Sequence, residues 1–248
     1  MTLGIVLFTL SGLVFGSFGN VLLYRVHANK PITGRSACPS CHRILRWFEL
    51  FPVLSFIVLR GKCGRCHHKI SVQYPLVELG SALLFLFAFL LHSSDPAAAL
   101  VTAFILYFLF LACVFDALYQ QIPDVFTILI ALLALVSVIL SDNIVSAGLG
   151  AALMLAWFGG QWVISRGRAV GTGDIFLTAA LGVWLGLLDT VMMIVFSYMA
   201  GAIVIVGLML LKRIGKKQQK IAFVPFLGMG VLITLLGLGD VYLRAVGF

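Results

Sequence analysis

The chain has 248 residues, of which 62% are hydrophobic and 10% charged. Apolar runs of around twenty residues recur along it, each long enough to cross a hydrocarbon layer of roughly 30 Å, so the size rules of soluble single domains do not apply. The net charge is +8, from 17 Lys and Arg against 9 Asp and Glu. In a soluble protein that balance would suggest nucleic acid, but here the basic residues are segregated between apolar runs, and their distribution reports membrane topology instead.

The first run, Leu3 to Leu23, has no basic residue ahead of its apolar stretch and no small-x-small cleavage site, and it runs straight into GSFGNVLLYR (16–25). It reads as a membrane helix, not a cleaved signal peptide. Apolar runs between polar breaks give about eight helices in all: 3–23, 75–92, 97–115, 125–141, 144–164, 175–188, 190–211 and 223–239. The break between the sixth and seventh rests only on LLDT around Asp189. Alternating the spans places 25–74, the 116–124 loop, the 166–174 loop and Lys212–Lys220 on one side. Every Lys and Arg except Arg244 then falls on that side, which the positive-inside rule makes cytoplasmic. The other side keeps short turns marked by Asp95, Asp142 and Asp189. The expected fold class is an all-α polytopic membrane protein with a small cytoplasmic module between its first two helices.

That module, Arg25–Tyr74, is too short and polar to bury much core, and small modules of this kind need a staple. Cys38-Pro-Ser-Cys41 and Cys63-Gly-Arg-Cys66 supply it: two Cys-x-x-Cys knuckles about twenty residues apart. The spacing fits a four-thiolate structural zinc site better than redox chemistry or idle thiols, and a cytoplasmic location argues against disulfides. Gly61 and Gly64 flank Cys63 and would permit the tight turn of the knuckle. His42, His67 and His68 read as solvated loop residues, and Cys113, in the third helix, as a small apolar packing residue.

Asp116 and Asp174 are the candidate catalytic pair. Asp116 follows the run YFLFLACVF, and Asp174 closes Gly171-Thr172-Gly173-Asp174 at the start of the sixth helix. A carboxylate at the end of a membrane helix is costly, so its bland alternative, solvation at the interface, is the weaker reading. The bland alternative for Asp174 is a helix cap. The topology, set by Lys and Arg alone, puts both on one face, where two carboxylates can share a proton and activate water. Asp124, after Ile122-Pro123, reads as a first-turn acid that complements the helix dipole. Glu78 is either a buried partner for Arg25 or an early-turn acid of the second helix.

The motifs GSFGNVLLYR (16–25), CPSC…LRW…PVLSFIVLRGKCGRC…ISVQYPLVEL (38–79), D-x5-IPD (116–124), GTGD (171–174) and IAFVPFLGMG (221–230) stand in order over almost the whole chain. Together they resemble the bacterial type IV prepilin peptidases of the bifunctional, zinc-module-bearing type. The resemblance implies a GxGD aspartyl protease at the cytoplasmic membrane that removes the basic leader of prepilins and pseudopilins, for pili or type II secretion. It also implies methylation of the new N-terminal residue with S-adenosylmethionine. It places the catalytic aspartates on Asp116 and Asp174 and the zinc ligands on Cys38, Cys41, Cys63 and Cys66. The corresponding division is transmembrane helix 1 over 1–24, the zinc module over 25–74 and the peptidase domain over 75–248. Two departures bear on substrate positioning: Phe176 stands where the family usually has lysine, and IAFVPF replaces a sequence closer to IPFGPF.

Three rivals remain open. A peptidase without methyltransferase activity is disfavoured because such relatives typically lack the cysteine module. An intramembrane protease of the broader GxGD type is disfavoured by an Asp174 that lies at a loop–helix junction. A non-catalytic zinc-ribbon scaffold or a small transporter should show different features, the transporter inverted repeats and broken helices near the midplane. No Rossmann-type glycine fingerprint follows a strand, so a methyl-donor site would have to be built by 25–74 and nearby helix ends. Substrate pilins and membrane lipid are the expected partners, and nucleic acid is not.

Overall fold

The computed structural model describes residues 1–168, 170–211 and 222–237. They are almost wholly helical: α1 (Thr2–His27), α2 (Leu54–Val58), α3 (Gln73–Leu91), α4 (Pro96–Tyr119), α5 (Asp124–Ser141), α6 (Ile144–Ser165), α7 (Thr172–Leu210) and α8 (Val224–Leu235). Six of these, all but α2 and α8, are long and apolar enough to cross a membrane. The basic run Lys212–Lys220 and Arg244 lie outside the described residues.

The chain divides into two compact units, Met1–Tyr107 and Phe108–Phe248. In the first, α1 packs on α3. The approach is backbone to backbone: a Cβ on Gly12 would stand 2.6 Å from the Ala82 Cα, and one on Gly16 2.6 Å from the Glu78 Cα. Small residues at this spacing let membrane helices close on one another where no hydrophobic effect drives them together. Phe15, Phe85, Phe104 and Tyr107 fill the space beside this seam, and the Tyr107 hydroxyl donates to the Phe15 carbonyl at 2.8 Å.

In the second unit α7 packs against α5, α6 and α8. Gly150 and Gly182 meet where α6 crosses α7, with a Cβ on Gly150 falling 2.3 Å from the Gly182 carbonyl oxygen. Beyond this crossing α7 breaks. Gly186 adopts φ 74°, ψ −176° inside an otherwise helical run, a conformation open to glycine and few other residues. The Leu187 N–H next to the break donates to Ser146 Oγ at 3.0 Å, since a freed amide in an apolar layer must find a partner. The two halves of α7 are the expected sixth and seventh helices. Their junction is set by Gly186, three residues before the Asp189 expected to mark it, because the conformational freedom of glycine outweighs the polarity of a single aspartate. With α8, which is shorter than expected, the described residues hold eight apolar helical segments.

Candidate active site and metal centre

Asp116 does not end its helix. α4 continues to Tyr119, so the carboxylate sits in the last turn and is buried, with 7% of its surface exposed. That removes the reading of a solvated interfacial acid. Its Oδ2 accepts a 3.0 Å hydrogen bond from the backbone N–H of Val224, the first residue of α8. One turn earlier on α4, the Cys113 thiol donates to the Val224 carbonyl at 3.3 Å. Val224 is therefore held at both its amide and its carbonyl. Gly228, one turn into α8, makes room for the sulfur: a Cβ there would lie 2.8 Å from Cys113 Sγ. Cys113 is thus partly buried and also hydrogen-bonded, which a purely apolar reading missed.

Asp174 is the third residue of α7, behind an N-cap at Gly171. It is not the cap itself. Its Oδ2 reaches back to accept the Gly171 N–H at 3.1 Å, the return half of a capping box. Thr178 fastens the same turn by donating to the Asp174 carbonyl at 2.8 Å. The GTGD turn lies against the loop that follows Asp116: a Cβ on Gly173 would sit 3.5 Å from Ile122 Cβ. Asp124 is the exposed first residue of α5, the first-turn acid expected. Phe176, two residues beyond Asp174, is 65% exposed.

The contribution of Val224 could not be read from residue types, because the group that acts is a backbone N–H. Its only trace in the sequence is Pro225, a residue well suited to the first turn of a helix.

The four cysteines converge. The Sγ atoms of Cys38, Cys41, Cys63 and Cys66 all lie within 4.8 Å of one another. Cys38 and Cys66 Sγ are 3.8 Å apart, which matches the edge of a tetrahedron with zinc–sulfur bonds of about 2.3 Å. The two knuckles are built alike. The Cys38 N–H donates to the Arg43 carbonyl and the His42 N–H to the Cys38 carbonyl; Cys63, His68 and His67 repeat both bonds. His42 and His67 take the left-handed positions at φ 54° and 55°, and all three histidines are exposed. Gly61 has φ 67°, but Gly64 serves by its size instead, since a Cβ there would meet Glu49 Oε1 at 3.1 Å. Glu49 pairs with Arg43 and accepts the Arg46 N–H at 2.8 Å. Amides of Cys66 and Arg65 draw the Cys63 thiol down to about 6. Cys66 is pushed up to about 11, because burial and the neighbouring sulfurs outweigh the pull of the His68 amide. Four sulfurs so close cannot all carry charge without a cation among them, so the donor set fits zinc.

Glu78 neither pairs with Arg25 nor lies in the first turn of α3. Its Oε2 accepts the Val53 N–H at 2.7 Å, where Val53 holds the strained φ of 61°. Arg25 instead donates to the carbonyls of Pro31, Ile32, Thr33 and Gly34.

Comparison with known proteins places the chain in a family. Residues 10–92 match the bacterial peptidase A24 N-terminal domain, and residues 103–206 match the type IV leader peptidase family. A type 4 prepilin-like proteins leader peptide-processing enzyme from Escherichia coli O78:H11 is 33% identical, over 97% of this chain and 94% of its own length. Prepilin leader peptidase/N-methyltransferases from Dickeya chrysanthemi and Bacillus subtilis are 34% and 33% identical, over 92% and 91% of this chain and the same shares of their own. No solved structure matches. With both domain profiles in register and relatives aligned over nearly their full lengths, the chain belongs to the type IV leader peptidase family.

Proposed function

We propose that this membrane peptidase cleaves the basic leader of prepilins or pseudopilins with Asp116 and Asp174 as an aspartyl dyad, and then methylates the new N-terminus. The observation that carries the dyad is the matched support of the two carboxylates. Each offers Oδ2 to a backbone N–H at the start of a helix, and Gly173 brings the two turns into contact through Ile122. One oxygen of each acid is thereby oriented by main chain, as a pair of catalytic carboxylates requires.

The two acids share one proton. The ionised member takes a proton from water as that water attacks the scissile carbonyl. The protonated member donates a hydrogen bond to the carbonyl oxygen and stabilises the developing oxyanion. Titration belongs to the pair, so neither role is assigned to one residue. The basic side of the chain is cytoplasmic in this reading, and the leader is cut there, at the inner membrane. The peptidase chemistry belongs to residues 75–248. Residues 25–74 form a module in which Cys38, Cys41, Cys63 and Cys66 hold a structural zinc that ties the two knuckles together. The methyl donor is S-adenosylmethionine. The names of the relatives, which pair the two activities, favour this over a peptidase alone or a scaffold.

The test is leader cleavage of a prepilin by the purified protein, with products weighed by mass spectrometry. Loss of cleavage in both Asp116→Asn and Asp174→Asn is the expected result, and substantial processing by either variant sinks the dyad. Adding S-adenosylmethionine should increase the mass of the mature pilin by one methyl group.

A further inference from the structure

The cysteine module carries an apolar face that is left exposed among the described residues. It runs from the short 3₁₀ turn Trp47–Leu50 into α2. Trp47 is 74% exposed, and Phe48, Phe51, Leu54, Ile57 and Val58 are exposed with it. Leu54, Ile57 and Val58 stand at i, i+3 and i+4, the spacing of one helix face. The opposite face of α2 is already used, because Phe56 lies against Gly61, where a Cβ would come 3.0 Å from the ring. The rings of Trp47, Phe48 and Phe51 form one edge-on cluster, with Trp47 5.8 Å from each phenylalanine. A continuous exposed apolar surface marks a protein partner or a membrane.

The height of this face in the first unit decides between the two. α3 has 19 residues, about 28 Å of helix to cross a hydrocarbon layer of roughly 30 Å. A helix with no length to spare begins at the edge of that layer. Glu78 comes five residues after the first residue of α3, about 8 Å along the axis. It holds the N–H of Val53, the residue that caps α2, at 2.7 Å. α2 and the rings beside it therefore lie at the depth of the headgroups and the first acyl carbons. Apolar helix faces enter a bilayer at that depth, and tryptophan collects there.

The charge around the face fits an acidic surface. Glu49 is the only acid between residues 25 and 74, and it is committed to Arg43 and to the Arg46 N–H. Arg46, Arg60, Lys62 and Arg65 are exposed. A cleft of about 530 Å³ meets the apolar face at Phe48, with Arg43, Arg46 and Arg65 in its wall. The Arg46 guanidinium stands 5.9 Å from the centre of the Phe48 ring. Guanidinium groups take phosphate oxygens two at a time, and basic clusters beside a membrane segment draw acidic lipid. A basic peptide, by contrast, is repelled from such a face.

We infer that this face of the cysteine module docks on the bilayer, with Trp47, Phe51 and the Leu54, Ile57 and Val58 stripe in the acyl boundary and Arg46 and Arg65 on the phosphates of acidic phospholipids. The module is then anchored twice, by its chain ends to α1 and α3 and by α2 to lipid. The four-cysteine cluster is held close to the membrane surface as a result.

The experiment places the full-length zinc-loaded protein in mixed vesicles of phosphatidylcholine and phosphatidylglycerol. Trp47 emission is read as the difference between wild type and Trp47→Phe. Phospholipid brominated high on its acyl chains quenches from the membrane, and acrylamide quenches from water. Quenching of Trp47 by the brominated lipid is the expected result. Emission that the brominated lipid leaves unchanged overturns the docking, and acrylamide then tells whether water or a covering protein stands there. Ile57→Asp combined with Val58→Asp alters only exposed positions and puts carboxylates into the acyl boundary. Acrylamide quenching of Trp47 should rise about twofold or more as the face lifts away; an unchanged value overturns the placing of α2. Zinc content and thermal unfolding check that the variant folds, and the brominated-lipid result on wild type decides the docking if it does not. For the headgroups, bromine is carried by phosphatidylglycerol or by phosphatidylcholine at one overall composition. Stronger quenching from phosphatidylglycerol, lost in Arg46→Gln combined with Arg65→Gln, is expected. Equal quenching from the two lipids, or a preference that survives the double variant, overturns the role of the arginines.

Discussion

The backbone N–H of Val224 donates to Oδ2 of Asp116 across 108 residues of chain. This bond ties the last turn of α4 to the first turn of α8. It makes the orientation of one proposed catalytic acid depend on where a distant helix begins. Asp174 receives the same kind of support locally, from the Gly171 N–H three residues before it.

Asp116→Asn and Asp174→Asn should each lower the leader-cleavage rate by at least about a hundredfold, because removing one member of an acid–base pair forfeits that much or more. Thermal unfolding should change little, since asparagine keeps an acceptor oxygen for the Val224 or Gly171 amide. Asp124→Asn should stay within about twofold of wild type, as befits an exposed acid whose only role is at a helix dipole.

Cys113 should behave as a positioning residue. Cys113→Ala removes the donor to the Val224 carbonyl and should reduce kcat about fivefold with KM nearly unchanged, the effect of losing one ordinary hydrogen bond. Cys113→Ser, which keeps a donor, should restore most of it. Equal rates in the alanine and serine variants would show that the bond does not position Asp116. Gly228→Ala should be harmful too, because its Cβ would press on the sulfur at 2.8 Å.

Glycine substitutions separate contact from composition. Gly150→Ala places a Cβ 2.3 Å from the Gly182 carbonyl oxygen and should lower stability by about 1–3 kcal/mol, the usual range for overpacking. Gly148→Ala, where nothing lies within 4 Å, should be neutral or slightly stabilising. The readout is the thermal midpoint in one detergent.

The module should carry one zinc per chain by elemental analysis, and Cys38→Ser or Cys63→Ser should lose it. Metal affinity should fall on acidification, since the ligands bind as thiolates.

Glu49 gives the module a pH dependence of its own. Burial opposes its charge, but the Arg46 amide and the Arg43 guanidinium outweigh burial and hold its carboxyl below the ordinary range. A depressed folded-state value adds stability above the unfolded value, and that contribution is lost as pH falls through the folded one. Hydrogen exchange at the Arg46 amide should therefore be slower in wild type than in Glu49→Gln at neutral pH. The difference should narrow once pH drops below the ordinary carboxylate range.

Membrane character, the number of apolar segments, the cysteine knuckles and the two aspartates were all legible in the sequence, because each depends on residue type at short spacing. An apolar run is long enough to span or it is not, and Cys-x-x-Cys brings two sulfurs together locally. Partners that act through the backbone or across the chain were decided by tertiary structure. The Val224 amide on Asp116 and the pairing of Glu78 with Val53 leave no mark in residue identity. The break at Gly186 belongs with them: the sequence holds 25 glycines, and only packing against Ser146 and Gly150 selects the one that bends α7. Charge and hydropathy are properties of segments. The aim of a hydrogen bond is a property of the fold, and it orients the two acids that the sequence could only name.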